Sequence, residues 1–275
     1  GWPNQGGELR QWRVSSGELV RTFLGARDSL HALTLNADSS RIAAGSYDYS
    51  VTVWQVADGT VQRSIAAHQG AVVGLAFRPN GRLLASASFD RTTKLLDPVS
   101  GLRQETFGQA LKELNAVAFS PDGRVLLTGG GDNRIRAYQI SPDAKEGSNE
   151  LLATVFAHEG AILRLRFSPD GKSVASAADD RTVKLFSTEA WQLRTTLELQ
   201  SDWPTALTFA GNDRLVVGRA DGSLGIYRTS DGQPSRPPVP PKPVHGYVVA
   251  RYVRSYIETL IRLRGEHLTP NPVVS

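Results

Sequence analysis

The residue types best suited to chemistry in this 275-residue chain come in two matching sets. His68, Ser86 and Asp90 form one, and His158, Ser176 and Asp180 repeat it at the same spacing. A histidine base, a serine nucleophile and an orienting aspartate make an acyl-transfer triad, provided the serine is exposed and an oxyanion site faces it. The duplication argues against that use. A scaffold element recurs, whereas an active site has no reason to, and each serine falls in the middle of an apolar strand pattern. No catalytic residue is expected here. The remaining histidines, His31, His245 and His267, show no metal-ligand spacing. The absence of Cys removes disulfides, thiolate metal sites and cysteine nucleophiles. No Walker-type phosphate loop is present, and Gly129, Gly130 and Gly131 read as a strand end before the turn at Asp132. Neither a cofactor nor a metal follows from these residues.

The elements that must position the two sets belong to one repeated phrase. ELRQWRVSSG (8–17), VTVWQVADG (51–59), TKLLDPVSG (93–101), RIRAYQI (134–140), VKLFSTEAW (183–191) and LGIYRTSDG (224–232) are versions of it. Their anchors are Trp12, Trp54, Leu96, Tyr138, Phe186 and Tyr227, at steps of 42, 42, 42, 48 and 41 residues. The long step carries the polar stretch SPDAKEGSN (141–149), which reads as an extended loop. Within each period an alternating strand (LHALTL, VVGLAF, LNAVAF, ILRLRF, TALTF) precedes a polar turn such as RPNG or SPDG. A second strand, an Asp-containing turn, the anchor strand and a fourth strand (VQRSIA, RQETF, LLATVF, QLRTTLEL) follow. Four short strands per period of ~42 residues match the blade period of a β-propeller.

These phrases resemble the WD repeats. The best matches are AHQGAVVGLAFRPNGRLLASASFDRTTKLLD (67–97) and AHEGAILRLRFSPDGKSVASAADDRTVKLF (157–186), and the likeness runs over about residues 8–231. It implies an all-β propeller of four-stranded antiparallel blades with a His, Ser/Thr, Asp and Trp tetrad in each. Carried over by position, His68, Ser86 and Asp90 stand in one blade, with Leu96 in the Trp place. His158, Ser176 and Asp180 stand in another with Phe186 there. Elsewhere Ala26, Ala110 or Gln200 takes the His place while Asp48, Asp132 and Asp221 persist, so the aspartate is expected to fix its own turn. The resemblance also implies a partner face, built from the Asp turn and the loop before each first strand. Tyr47, Phe89 and Trp203 fall on it with Asp179, Arg91 and Arg181. Aromatics and arginines anchor protein interfaces; the competing reading packs them on neighbouring blades or uses them to cap turns.

Charge and proline concentrate at the other end. From Gly232 onward six basic residues face Glu258 and Glu266, which accounts for the whole net charge of +4; residues 1–231 carry 25 of each sign. The body therefore offers no electrostatic case for nucleic acid. Residues 232–246 read as a proline-rich linker. In 247–275, Val249, Tyr252, Val253, Tyr256, Ile257, Leu260 and Ile261 keep helical spacing, with Arg251, Arg254, Glu258 and Arg262 opposite. That pattern suits an amphipathic helix able to touch an anionic membrane surface. A competing reading makes TLIRLRGEHL (259–268) the start of an immunoglobulin-like module.

The expected function is a non-catalytic protein-interaction scaffold with a protein partner, in one segment of a larger bacterial multidomain protein. The alternatives are a hydrolase-like propeller enzyme, and binding of nucleic acid through the basic tail. An exported, extracytoplasmic home is favoured over the cytoplasm. Strand counting predicts five blades plus a two-stranded N-terminal remnant in an incomplete ring. The fifth blade lacks its fourth strand in this reading, unless ELVRTF (18–23) supplies it.

Overall fold

A computed structural model describes residues 6–235. Among the described residues the alternating segments form 21 strands, arranged as successive antiparallel meanders. The first sheet has two strands, β1 (Leu9–Trp12) and β2 (Leu19–Phe23). Blade 1 is β3 (Leu30–Leu35), β4 (Arg41–Ser46), β5 (Ser50–Gln55) and β6 (Val61–Ala66). Blade 2 is β7 (Val72–Phe77), β8 (Leu84–Ser88), β9 (Thr93–Leu96) and β10 (Arg103–Phe107). Blade 3 is β11 (Leu114–Phe119), β12 (Val125–Gly130), β13 (Arg134–Gln139) and β14 (Glu150–Phe156). Blade 4 is β15 (Ile162–Phe167), β16 (Ser173–Ala178), β17 (Val183–Ser187) and β18 (Leu193–Thr196). Blade 5 has three named strands, β19 (Pro204–Ala210), β20 (Arg214–Arg219) and β21 (Leu224–Arg228). The first strands β3, β7, β11, β15 and β19 stand side by side around a common channel.

Packing runs from blade to blade. Each central strand is buried on both faces, and β8 and β16 are made almost wholly of Ala, Ser, Leu and Val, which let sheets approach closely. The anchors fill the seams, each packed on the preceding sheet. Trp54 meets Phe23 of the first sheet edge-on, with ring centroids 6.4 Å apart. Leu96 packs on Val51 and Val53 of blade 1, Tyr138 on Phe107 of blade 2, Phe186 on Leu127 and Ile135 of blade 3, and Tyr227 on Ala177 and Val183 of blade 4. A buried aromatic removes about 150–250 Å² from water, about 4–6 kcal/mol at ~25 cal/mol per Å².

The two ends break the pattern. Trp12 holds the anchor position of the first sheet but is 52% exposed, where Trp54 is 0%, because no described sheet precedes it. At the other end Leu224 and Ile226 are partly exposed, although their counterparts Val51 and Val53 are fully buried under blade 2. No hydrogen-bonded strand pair joins the first sheet to blade 5 among the described residues, so the described arc is not closed. β2 pairs with β1 alone and does not complete blade 5.

Blade 5 keeps three strands, and no fourth strand follows Tyr227 among the described residues, as the sequence reads; an isolated bridge joins Tyr227 to Pro234, and Ser235 N–H donates to Ile226 O at 2.8 Å. Arg228 N–H donates to Gln233 O at 2.9 Å, as Gln55 N–H does to Thr60 O in blade 1. The TSDGQ turn thus repeats the VADGT turn and ends in this isolated bridge. The helix, Ig-like and linker readings of residues 236–275 fall outside the described residues. The 141–149 loop is folded on blade 2: Gly147 N–H donates to Glu105 Oε2 at 2.7 Å, and Ala144 is buried.

Unequal anchors make a direct prediction. Trp54→Ala should cost about 3–5 kcal/mol, as for other buried aromatics, whereas Trp12→Ala should cost under about 1 kcal/mol. Urea unfolding of the two variants checks this, and equal losses would contradict the seam assignment.

Candidate functional site

The structure brings each His, Ser and Asp set together. His68 Nδ1 lies 2.8 Å from Asp90 Oδ2, and its Nε2 lies 2.8 Å from Ser86 Oγ. In blade 4 the corresponding distances are 3.2 Å to Asp180 and 3.0 Å to Ser176. A carboxylate only accepts, so Nδ1 carries the proton and Nε2 accepts from the serine hydroxyl. Both serines are 0% exposed. A substrate carbonyl has no route to either oxygen, and the arrangement serves the sheet interior.

Each network has a member that the sequence pattern did not single out. Thr92 Oγ1 donates to Asp90 Oδ1 at 2.6 Å, and Thr182 Oγ1 does the same to Asp180 at 2.7 Å while lying 2.8 Å from His158 Nδ1. The legible signal was the recurring Asp-Arg-Thr. Leu96 and Phe186, in the Trp place, contribute packing only. Lys94 and Lys184 donate to Ala67 O and Ala157 O, tying the loop before each histidine to the third strand.

Blades without the histidine solve the same problem differently. In blade 3 Arg136, from the Lys94 position, reaches Asp132 Oδ2 at 2.6 Å in a buried ion pair. In blade 5 Arg219 donates to Gln200 Oε1 at 2.9 Å and also meets the Tyr227 hydroxyl. In blade 1 Trp54 Nε1–H donates to Leu24 O at 2.6 Å. In all five blades the turn aspartate accepts from the backbone N–H two residues on: Ser50, Thr92, Arg134, Thr182 and Ser223. That shared bond is why the aspartate persists where the histidine does not.

Titration follows burial. Loss of hydration holds His158 well below its usual 6.5, at about 4, against the pull of Asp180. His68 is lowered for the same first cause, with Asp90 opposing it. Burial pushes the Asp90 carboxyl up, but the bonds from Thr92, Gln69 N–H and His68 outweigh it and leave it at about 2.

The second feature is one face of the arc. In every blade the N–H of the residue before the turn aspartate donates to a carbonyl in the loop before the first strand. The pairs are Tyr47 to Ser29, Phe89 to Ala71, Gly131 to Glu113, Asp179 to Ala161 and Ala220 to Trp203, at 2.8–3.0 Å. Five equal contacts place Tyr47, Phe89, Asp179 and Trp203 at one end of the blades. A Cβ at Gly70 would stand 2.7 Å from Asp90 N, which explains glycine at this close approach. Tyr47, Phe89 and Trp203 are each about half exposed, and Tyr47 leans on His31 with ring centroids 5.7 Å apart. Arg91 and Arg181 are exposed at left-handed positions of the turns (φ 68° and 61°). Leu111, also exposed, lies beside them: its N–H donates to Asp132 Oδ2, as Gln69 and Glu159 do to their aspartates. Nothing in the repeat pattern marked this leucine. No cluster of His, Asp or Glu among the described residues could hold a metal.

The histidine shifts predict a pH profile. The unfolded chain takes a proton on each histidine near pH ~6.5, while folded His158 resists protonation until about 4. Its stabilisation is therefore full above pH ~6.5 and is lost as pH falls toward 4. The urea midpoint should drop across that window, and His158→Gln should flatten part of the drop. A midpoint that holds level or rises on acidification would contradict it.

Comparison with known proteins follows the same repeats. The family model described as "WD domain, G-beta repeat" matches residues 17–55, 59–97, 103–139 and 149–187. A chromatin assembly factor 1 subunit of Schizosaccharomyces pombe is 25% identical over 126 residues, 38% of this chain and 25% of that protein. Protein HIRA of Oryza sativa subsp. japonica is 26% identical over 128 residues, 38% of this chain and 13% of that protein. Telomerase protein component 1 of Rattus norvegicus is 31% identical over 85 residues, 30% of this chain and 3% of that protein. The chain thus spans a quarter or less of these relatives' length. With its repeats matched in register and its sheets built as blades, the chain belongs to the WD40-repeat family of β-propellers.

Proposed function

We propose that this propeller segment is a non-catalytic scaffold that captures a protein partner on the face carrying Tyr47, Phe89 and Trp203, with Asp179, Arg91 and Arg181 around them. The observation that carries the reading is the set of half-exposed aromatics held on one face by five repeated backbone contacts. Rigid aromatics presented from backbone-fixed turns lose little entropy on docking, and aromatic and arginine side chains carry most of the energy of protein interfaces. Burial of Ser86 and Ser176 speaks against a hydrolase built on the triad-like sets. The Schizosaccharomyces pombe relative is, by its name, one subunit of an assembly factor, and that likeness supports work within a complex.

The test is a peptide selected on the intact chain from a random display library. Replacing Tyr47, Phe89 and Trp203 together by Ala should weaken its binding by about tenfold or more, while shifting Tm by only a few degrees. Replacing exposed Leu152 and Phe156 of β14 should leave affinity unchanged. Equal affinity in the triple variant would overturn the face assignment.

A further inference from the structure

We propose that the outer edge of β14 in blade 3 pairs antiparallel with β14 of a second copy of this chain, about a two-fold axis at Thr154. Among the described residues β14 is the last strand of its sheet, with β13 alone beside it. At seven residues it is longer than the outer strands β6, β10 and β18, which have six, five and four. Ala157 N–H, just past its end, donates to Asn133 O at 2.9 Å. Backbone groups alternate sides along an antiparallel strand, so those of Phe156 and Thr154 point away from β13 and form the free edge. Such an edge is a template for a further strand unless it is guarded.

The other blades show what is particular to this edge. Ser64, Thr106, Thr154 and Thr196 hold one place in the four outer strands, opposite Thr52, Lys94, Arg136 and Lys184. Two residues to either side of it stand Gln62 and Ala66 in blade 1, Gln104 and Gly108 in blade 2, and Arg194 and Glu198 in blade 4. Blade 3 has Leu152 and Phe156 there, and both are exposed. Charged side chains are the common guard of an edge. Arg63, Arg103 and Arg194 stand within the other three outer strands, whereas β14 carries only Glu150, at its start. Pairing about Thr154 is the register in which these departures complement one another. It sets Thr154 against Thr154, their outward N–H and C=O groups exchanging bonds, and Leu152 of each copy against Phe156 of the other. Thr–Thr pairs and pairs with an aromatic member stabilise antiparallel neighbours, and no like charges are brought face to face. Phe156 is already held by Arg134, whose Cζ lies 5.9 Å from the ring centroid. The β13–β14 ladder thus continues across the two-fold. An isologous contact consumes the edge and stops at a dimer. So short an edge buries less than the ~1,200 Å² of stable complexes, so the association is weak. It lies on the rim, away from the turns proposed for protein partners, and either reading can fail without the other.

Analytical sedimentation of the full chain from ~10 µM to ~1 mM tests the proposal. A monomer–dimer equilibrium is expected, with no larger species. Leu152→Lys and Phe156→Lys should each weaken dimerisation by about tenfold or more, because the two-fold loses the same pair twice and gains a guarding charge. The chain has no cysteine, so Thr154→Cys introduces a single thiol. Opposed Cα atoms at ~5.5 Å suit a disulfide across the axis. Under mild oxidation Thr154→Cys should cross-link to a covalent dimer markedly faster than Ser64→Cys, which holds the same place in β6. A monomer at every concentration, species larger than a dimer, wild-type dimerisation in both lysine variants, or equal cross-linking of Thr154→Cys and Ser64→Cys would each overturn it.

Discussion

Every blade depends on having its neighbour cover it. A sheet of four short strands is too thin to bury its own apolar side chains, so each anchor is placed against the sheet before it and each central strand is sealed on both faces. Phe23 with Trp54, Phe107 with Tyr138, and the Ala177 and Val183 surface with Tyr227 are versions of one seam. Stability of this kind is close to a sum of repeat terms and nearest-neighbour terms. It also explains the ends, where Trp12 and Leu224 keep the seam chemistry without cover from any described sheet.

Sealing both faces creates a polar problem, and its solution accounts for the residues that looked catalytic. A hydroxyl, imidazole or carboxylate inside such a sheet is costly unless bonded, at roughly 1–3 kcal/mol for a lost partner. Blades 2 and 4 close the circuit with His, Ser, Asp and Thr; blade 3 uses Arg136 and Asp132; blade 5 uses Arg219, Gln200 and Tyr227. The variety is informative. Interchangeable circuits are what a structural requirement tolerates, whereas chemistry on a substrate would require one constellation. Freedom in side-chain choice is left to the ends of the blades, where the repeat fixes the backbone and leaves the side chain open: Tyr47, Phe89, Gly131, Asp179 and Ala220 occupy equivalent places.

The repeat makes most of this legible in the sequence. Anchor spacing locates the blades, and the Asp turns locate one end of them, because both are backbone requirements repeated at a fixed period. What escaped notice was what departs from the repeat. Arg136 reads as an ordinary strand cation until its pairing with Asp132 is seen. Thr92 and Thr182 were hidden in plain turns. The bridge from Tyr227 to Pro234 lies where proline reads as the start of a linker, directly after a TSDGQ turn that is a blade turn.

Hydrogen exchange resolved along the chain tests the dependence on neighbours most directly. Amides in β8, β12 and β16, sealed on both sides, should exchange only through the largest openings and be the slowest in the molecule. Amides in β1, β2 and β21, each with one face that no described sheet covers, should exchange markedly faster and with a lower opening free energy. Uniform protection from β1 through β21 would contradict the account, because it would mean that the blades are held by something other than the cover each gives the next.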